Sequence, residues 1–346
     1  MQKTYSNLKI TKLPHSEVEI EGEITVLEMQ KARREALEHL KREADMPGFR
    51  KGHVPENIIL EKFGEMHILN DAAEIALQEA YPAIVIDNDI SVIGRPAITI
   101  TKIAKDNPLG FKIKVPIFPE VTLADYKTLA KKEMTKADEL AVTDSEIDDV
   151  IKGLQENKSM AIKKADVSKE EKVLPEVNEE FIKTFGNFKD ITDFKTKIKE
   201  NLTLEKIARA KEKKRLTLGE KLVGDSKMEL PEILIEGEVR KMELQFEDDL
   251  KRMNLKMDDY LKHLKKNREE LAREWREPAE KRAKLQIILN KIALEEKISA
   301  SKEEMDKEVA HILEHHKDAD KERVGSYVEM MLTNEKVWEF LESQSV

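Results

Sequence analysis

Glu17-Val-Glu-Ile-Glu-Gly-Glu-Ile-Thr-Val26, EVEIEGEITV, alternates two kinds of residue without a break. Val18, Ile20, Gly22, Ile24 and Val26 share one side, and Glu17, Glu19, Glu21, Glu23 and Thr25 share the other. A period of two is that of a strand with one face buried. Beyond it the period changes: Ala32, Ala36, Leu40 and Ala44 lie on one face of a helix that must stop at Met46-Pro47, because proline lacks the amide a helix needs. Pro55 suits the first turn of a second helix, PENIILEKFG, and a third helical run extends from roughly Ile68 to Asp87. Two more strand patterns come next, AITITKI and GFKIKVPIF; in the latter Phe111, Ile113, Val115 and Ile117 alternate with Lys112 and Lys114. The first 118 residues therefore read as a β-α-loop-α-α-β-β unit of the α+β class.

After PIFPEVTLADYK the pattern turns helical. A periodic segment from Ser145 to roughly Met160 runs into KKADVSKEEK, a charged, aromatic-free linker. Ile235, Val239, Met242, Phe246, Leu250 and Met253 form one apolar helix stripe, and Leu285, Ile288, Leu289 and Ile292 form another. With 346 residues, 38% of them charged and few aromatic, the chain is too long for one core and rich in helical surface. The expected architecture is multidomain: an α+β N-terminal domain over 1–118, a linker with a long helix over 119–173, and an elongated all-α domain over 174–346.

Composition removes several function classes. Sixty-one basic against 70 acidic residues leave a net charge of −9, which disfavours general polyanion binding. The absence of cysteine rules out disulfides and thiolate metal sites. No apolar run reaches bilayer length and MQKTYSNLKI has no signal-peptide core, so a cytoplasmic protein without a membrane partner is expected. In GEKLVGDS, Gly219 and Gly224 have phosphate-loop spacing, but Asp225 stands where the lysine should be. In HILEH, His311, Glu314 and His315 match the inverzincin pattern, yet no third ligand motif comes after them. No catalytic residue, metal or cofactor is therefore assigned, and the chain is expected not to be an enzyme. A ribosome-independent helical scaffold or assembly chaperone, and an inverzincin-like metalloprotease, are the alternatives.

The remaining segment is Met46–Pro55, MPGFRKGHVP, a loop tip that presents Phe49, Arg50 and Lys51 between prolines and glycines. From Met29 to Pro55 seven cations face four anions. A small basic tip on an acidic body suits one docked contact with a defined anionic surface.

GFRKGHVP resembles the G-F-R-x-G-K-x-P ribosome-docking signature of the bacterial trigger factor family, ribosome-associated chaperones. GRPAITI and VPIFPEVTLADYK are similar to the end of that family's ribosome-binding domain. LPEVNEEFIKTFG is similar to the entry to its C-terminal domain, and EWREPAEKRAKLQIILNKIALEEKISAS to its helical body. The resemblance implies that Phe49, Arg50 and Lys51 dock, that Gly48, Gly52 and Pro55 shape the loop, and that His53 stands in place of the usual lysine. It also implies that the family's peptidyl-prolyl isomerase domain is missing, since only Ile162 to Val173 fill its place.

The function implied by the resemblance is that of an ATP-independent chaperone, docked at the exit site of the large ribosomal subunit on protein and rRNA, which holds nascent or unfolded polypeptides. Met228, Met242, Met253, Met257, Met305, Met330 and Met331 are soft side chains suited to a client-holding surface in the helical half. Off the ribosome, the same surfaces are expected to form a weak homodimer.

Overall fold

The computed structural model describes residues 3–44, 49–50, 52–165 and 174–344. The alternating stretch forms β2 (Glu17–Ile24), with Val18, Ile20 and Ile24 buried. It is preceded by β1 (Tyr5–Leu13), a strand that the local pattern does not predict. The reason lies at Asn7, whose φ of 53° accompanies a bulge between Ser6 and Lys9. A bulge inserts one unpaired residue and breaks the period of two on which strand reading depends. Then come α1 (Val26–Glu43), α2 (Glu56–Phe63), α3 (Glu65–Asp87), β3 (Ala97–Lys102) and β4 (Leu109–Pro116). The four strands make an antiparallel sheet in the order β1-β2-β4-β3.

The register of β2 on β4 is specified on both faces. On the core side Ile20 lies opposite Ile113 and Val18 opposite Val115, all buried. On the other side Lys112 meets Glu19 and Glu21 at 3.3 and 2.7 Å, and Lys114 meets Glu17 at 2.6 Å. A slip of one residue would exchange the apolar row for the charged one, so pattern and ion pairs enforce the same pairing. Gly22 lies opposite Phe111, and a Cβ there would come within 2.9 Å of the ring. The glycine gives Phe111 its place in the core. Helices α1 and α3 cover the core with Met29, Ala32, Ala36, Leu37 and Leu40 from one and an alanine-rich face, Ala72, Ala73, Ala76 and Ala80, from the other.

The chain continues through α4 (Tyr126–Met134), α5 (Asp144–Ala165), α6 (Glu179–Lys183), α7 (Ile191–Asp225), α8 (Glu232–Arg252), α9 (Met257–Leu264), α10 (Arg268–Glu296), α11 (Lys302–His315) and α12 (Lys321–Ser343). Compact units do not keep to sequence order. One comprises Met1–Leu123 with Ser226–Lys291, and the other Ala124–Asp225 with Ile292–Val346. Division of the chain at 118 and 173 is therefore retained only as a proposal about function.

In the first unit, α8 and α10 pack through Ile235, Ala279 and Ala283, and α9 closes their far end through Leu250, Met257, Leu261 and Leu271. Phe246 sits edge-on to Tyr260 and Trp275, with centroids 5.1 and 5.4 Å apart. The expected stripe on α8 ends early: Met253 lies beyond Arg252 at the C-cap and is 59% exposed. Along α10, Ile288, Leu289 and Ile292 are buried as the spacing predicts, while Leu285 is half-buried.

In the second unit Ile147 and Ile151 of α5, Phe181 and Ile182 of α6, and Phe194 and Ile198 of α7 share one core. Helix α7 is joined to α12 by Arg215, whose guanidinium donates to Glu335 at 2.7 and 2.8 Å and to Glu342 at 2.6 Å, beside the ring of Trp338. Arg215→Ala removes the donor to Glu335, which is half exposed, and leaves Glu342 with Lys211 at 3.2 Å, so it is expected to cost about 1 to 2 kcal/mol. Urea unfolding monitored by Trp338 fluorescence in a Trp275→Phe background measures this; an unchanged midpoint would show that the fork is not stabilising.

Helix α11 starts with a capping box between Ser301 and Glu304, and Lys336 of α12 approaches the same carboxylate at 2.7 Å. The Lys336 ammonium, then the Ser301 donors, hold the Glu304 carboxyl at about 2, against an ordinary value of 4.5. A depressed folded-state value means that the contribution is complete above 4.5 and lost as pH falls toward 2. Carboxyl NMR is expected to show Glu304 titrating near 2 in the wild type and closer to 4.5 in Lys336→Ala. No helix among the described residues is long and apolar enough to cross a membrane.

Candidate functional site

The loop after α1 is held at both ends by the core. Thr25 caps the start of α1, its side chain accepting from the Glu28 N–H. At the other end the Ala44 N–H donates to the Leu40 carbonyl at 2.8 Å, and Ala44 itself is buried. On the return, Val54 is only 2% exposed and belongs to the same apolar cluster as Leu40 and Ile59. Pro55 is the N-cap of α2 and not a first-turn residue, one position earlier than the sequence predicts; its carbonyl accepts from Ile58 and Ile59.

Two hydrogen bonds shape the described part of the tip. The His53 N–H donates to the Arg50 carbonyl at 3.0 Å, closing a four-residue turn. Gly52, third in that turn, has φ of +83°, which a side chain would make costly by about 1 to 2 kcal/mol. The Gly52 N–H donates to the Lys41 carbonyl at 3.0 Å and so fastens the loop to the last turn of α1, satisfying a carbonyl that the helix end leaves open. Phe49, 41% exposed, Arg50 and His53 face solvent. Gly48 and Lys51 lie outside the described residues.

Of the seven cations counted from the sequence, three are matched within the fold. Arg33 forks onto Glu65 at 2.7 and 3.0 Å and reaches Glu56 at 3.2 Å; the guanidinium holds the Glu65 carboxyl below its ordinary value. Lys31 pairs with Glu79 at 2.9 Å and Lys41 with Glu38 at 2.7 Å. Arg42 is exposed and spends its Nε–H on the Glu38 carbonyl, while among the described residues Arg34 and Arg50 form no ion pair. The free positive charge is thus narrower than the sequence count implies, and it lies on the outer side of α1 and at the tip. Ala44, expected on the apolar face of the first helix, is buried as its C-cap, whereas Val54, which anchors the other end of the tip, was not singled out from the sequence. The signal for Val54 is being the one aliphatic residue in an otherwise polar or backbone-forming return to α2.

The other sequence candidates do not form sites. Gly219 and Gly224 lie inside α7, where no phosphate-cradling loop exists. His311, Glu314 and His315 are exposed near the end of α11, and no group of three metal-ligating side chains occurs among the described residues. Met257 is core, whereas Met253 and Met330 are exposed and Met228, Met242, Met305 and Met331 are half-buried.

The family profile described as "Bacterial trigger factor protein (TF)" matches residues 6–154, and that described as "Bacterial trigger factor protein (TF) C-terminus" matches residues 190–343. The "Trigger factor" of Halothermothrix orenii is 26% identical, with 93% of each chain covered, and that of Halalkalibacterium halodurans is 24% identical over 85% of this chain and 88% of its own. The "Trigger factor" of Moorella thermoacetica is 36% identical over 42% of this chain and 32% of its own. The first two alignments run to 408 and 383 positions, more than the 346 residues present here, so those relatives carry segments with no counterpart in this chain. A solved structure presented as "Promiscuous Substrate Recognition in Folding and Assembly Activities of the Trigger Factor Chaperone" shares the fold, with a TM-score of 0.59 and 18% identity over 98% of this chain and 100% of its own. The two family profiles fall in order on either side of residues 155–189, a stretch too short to hold an isomerase domain; the chain belongs to the bacterial trigger factor family as a short form lacking that domain.

Proposed function

We propose that this chain is a ribosome-associated, ATP-independent chaperone that holds nascent or unfolded polypeptides. The observation that carries the reading is the tip itself, an exposed phenylalanine and arginine projected from a loop whose two ends are anchored in the core. A rigid base with an aromatic and cationic point suits docking on a fixed surface, since little order has to be imposed on binding. Phe49, Arg50 and Lys51 are assigned to contact, Gly48, Gly52 and Pro55 to loop shape, and His53 to the place of the family's lysine. The proposed partner is the large ribosomal subunit near the exit tunnel, through rRNA phosphate and protein.

Clients are assigned to apolar side chains left exposed on helices, among them Leu204, Leu216, Leu244 and Met330, and to Met253 at the end of α8. Such scattered, weak contacts release a client when folding buries the client's own apolar groups, so no nucleotide is needed. Prolyl isomerase activity is not assigned, a weak homodimer off the ribosome is, and the cytoplasm is the proposed location. The test is cosedimentation of the full chain with intact ribosomes and with separated subunits, alongside light scattering of a chemically unfolded client without ATP. Binding to the large subunit and suppressed scattering are expected. A chain that suppresses aggregation but never sediments with ribosomes would favour the ribosome-independent scaffold.

A further inference from the structure

The apolar row on the core face of the sheet continues past its edge. Ile98 and Ile100 of β3 lie opposite Ile113 and Phe111 of β4. The β4 pair is buried, whereas Ile98 and Ile100 remain 44% and 36% exposed, and all six residues of β3 are exposed. β3 is the last strand of the sheet, and among the described residues its outer edge makes no backbone–backbone hydrogen bond. The opposite edge is different: β1 is interrupted near its start by a bulge at Asn7, which disturbs the row of backbone groups a partner strand would pair with. In β3 the register shifts only toward its far end, between Ile100 and Lys102. From Arg95 to Lys105 there are three cations and no acidic residue.

Resting on the client-holding reading above, we propose that the outer edge of β3 binds an extended client segment as a fifth strand. Unpaired main-chain donors and acceptors can be satisfied together only by another extended backbone, which fixes the class of occupant. Ile98 and Ile100 select apolar residues at every second position of the segment, and Arg95 and Lys102 favour acidic residues at its ends. The mode needs no particular sequence beyond that alternation, and an unfolded chain offers it often.

The experiment is amide hydrogen exchange and NMR titration of the full chain with a short capped peptide alternating valine and threonine between terminal glutamates. Residues 97–102 are expected to gain about tenfold or more in protection, and the same peptide methylated on its internal backbone nitrogens is expected to bind at least about tenfold more weakly. Ile98→Lys with Ile100→Lys, at exposed positions, is expected to weaken binding without altering the circular dichroism. Equal affinity for the methylated peptide, or changes that bypass β3, would overturn the proposal. So would protection of β3 without peptide that rises with chain concentration, since the occupant would then be a second copy. Light scattering with the wild-type chain separates the two readings: no aggregation suppression defeats the chaperone function, whereas suppression with an unaffected β3 defeats only the edge assignment.

Discussion

Replacing Phe49, Arg50 and Lys51 together with alanine is expected to weaken ribosome binding about a thousandfold while leaving the circular dichroism unchanged. An aromatic anchor seated in a partner pocket is worth about 2 kcal/mol or more, and a charge-assisted hydrogen bond from a guanidinium about 1.5 to 3 kcal/mol. Together they reach the roughly 4 kcal/mol that a thousandfold change requires. The fold does not depend on these side chains, because Phe49 and Arg50 point outward and the loop is held by Ala44, Val54 and the Gly52–Lys41 hydrogen bond. Binding by the wild type should also weaken as salt rises, since exposed charges are screened over about 10 Å at 0.1 M. Cosedimentation at several ionic strengths measures both effects; a triple variant that sediments like the wild type removes the docking assignment.

Phe111→Ala is expected to give the largest loss of stability, about 3 to 5 kcal/mol, and to lower the melting temperature of the first unit by about 10 °C or more. Phe111 is fully buried and lies opposite Ile100 on one side and, on the other, Gly22, which has no side chain to take up the space its ring would leave. Ile98→Ala, on the same face but exposed, should change the melting temperature little by comparison. At low temperature, where the variant is still folded, ribosome affinity should match the wild type because the loop is untouched. Differential scanning calorimetry is the measurement. A shift no larger than that of Ile98→Ala would mean that the sheet and the helices over it do not share one core.

The elements with the clearest local periods were legible in the residues alone. β2 and β4 alternate strictly, α1 and α10 carry regular apolar stripes, and prolines and glycines bound the tip, because in each the buried face repeats with the period of its own backbone. The family, too, was legible, carried by short motifs in order along the chain. β1 was not, since a single left-handed Asn7 breaks the alternation and nothing in the neighbouring residues announces it. Likewise the count of cations near the tip could not show which were already spent. Arg33, Lys31 and Lys41 meet carboxylates that only folding brings to them, or orients toward them, leaving Arg34, Arg42 and Arg50 to set the field. The sequence by itself determined the strands and helices with unbroken periods, the loop and the class of protein. Tertiary structure alone decided that residues 226–291 join the N-terminal unit, that Val54 roots the tip, and that β3 is left with an open edge. Each depends on which surfaces meet across long separations in the chain, and local periodicity holds no information about that.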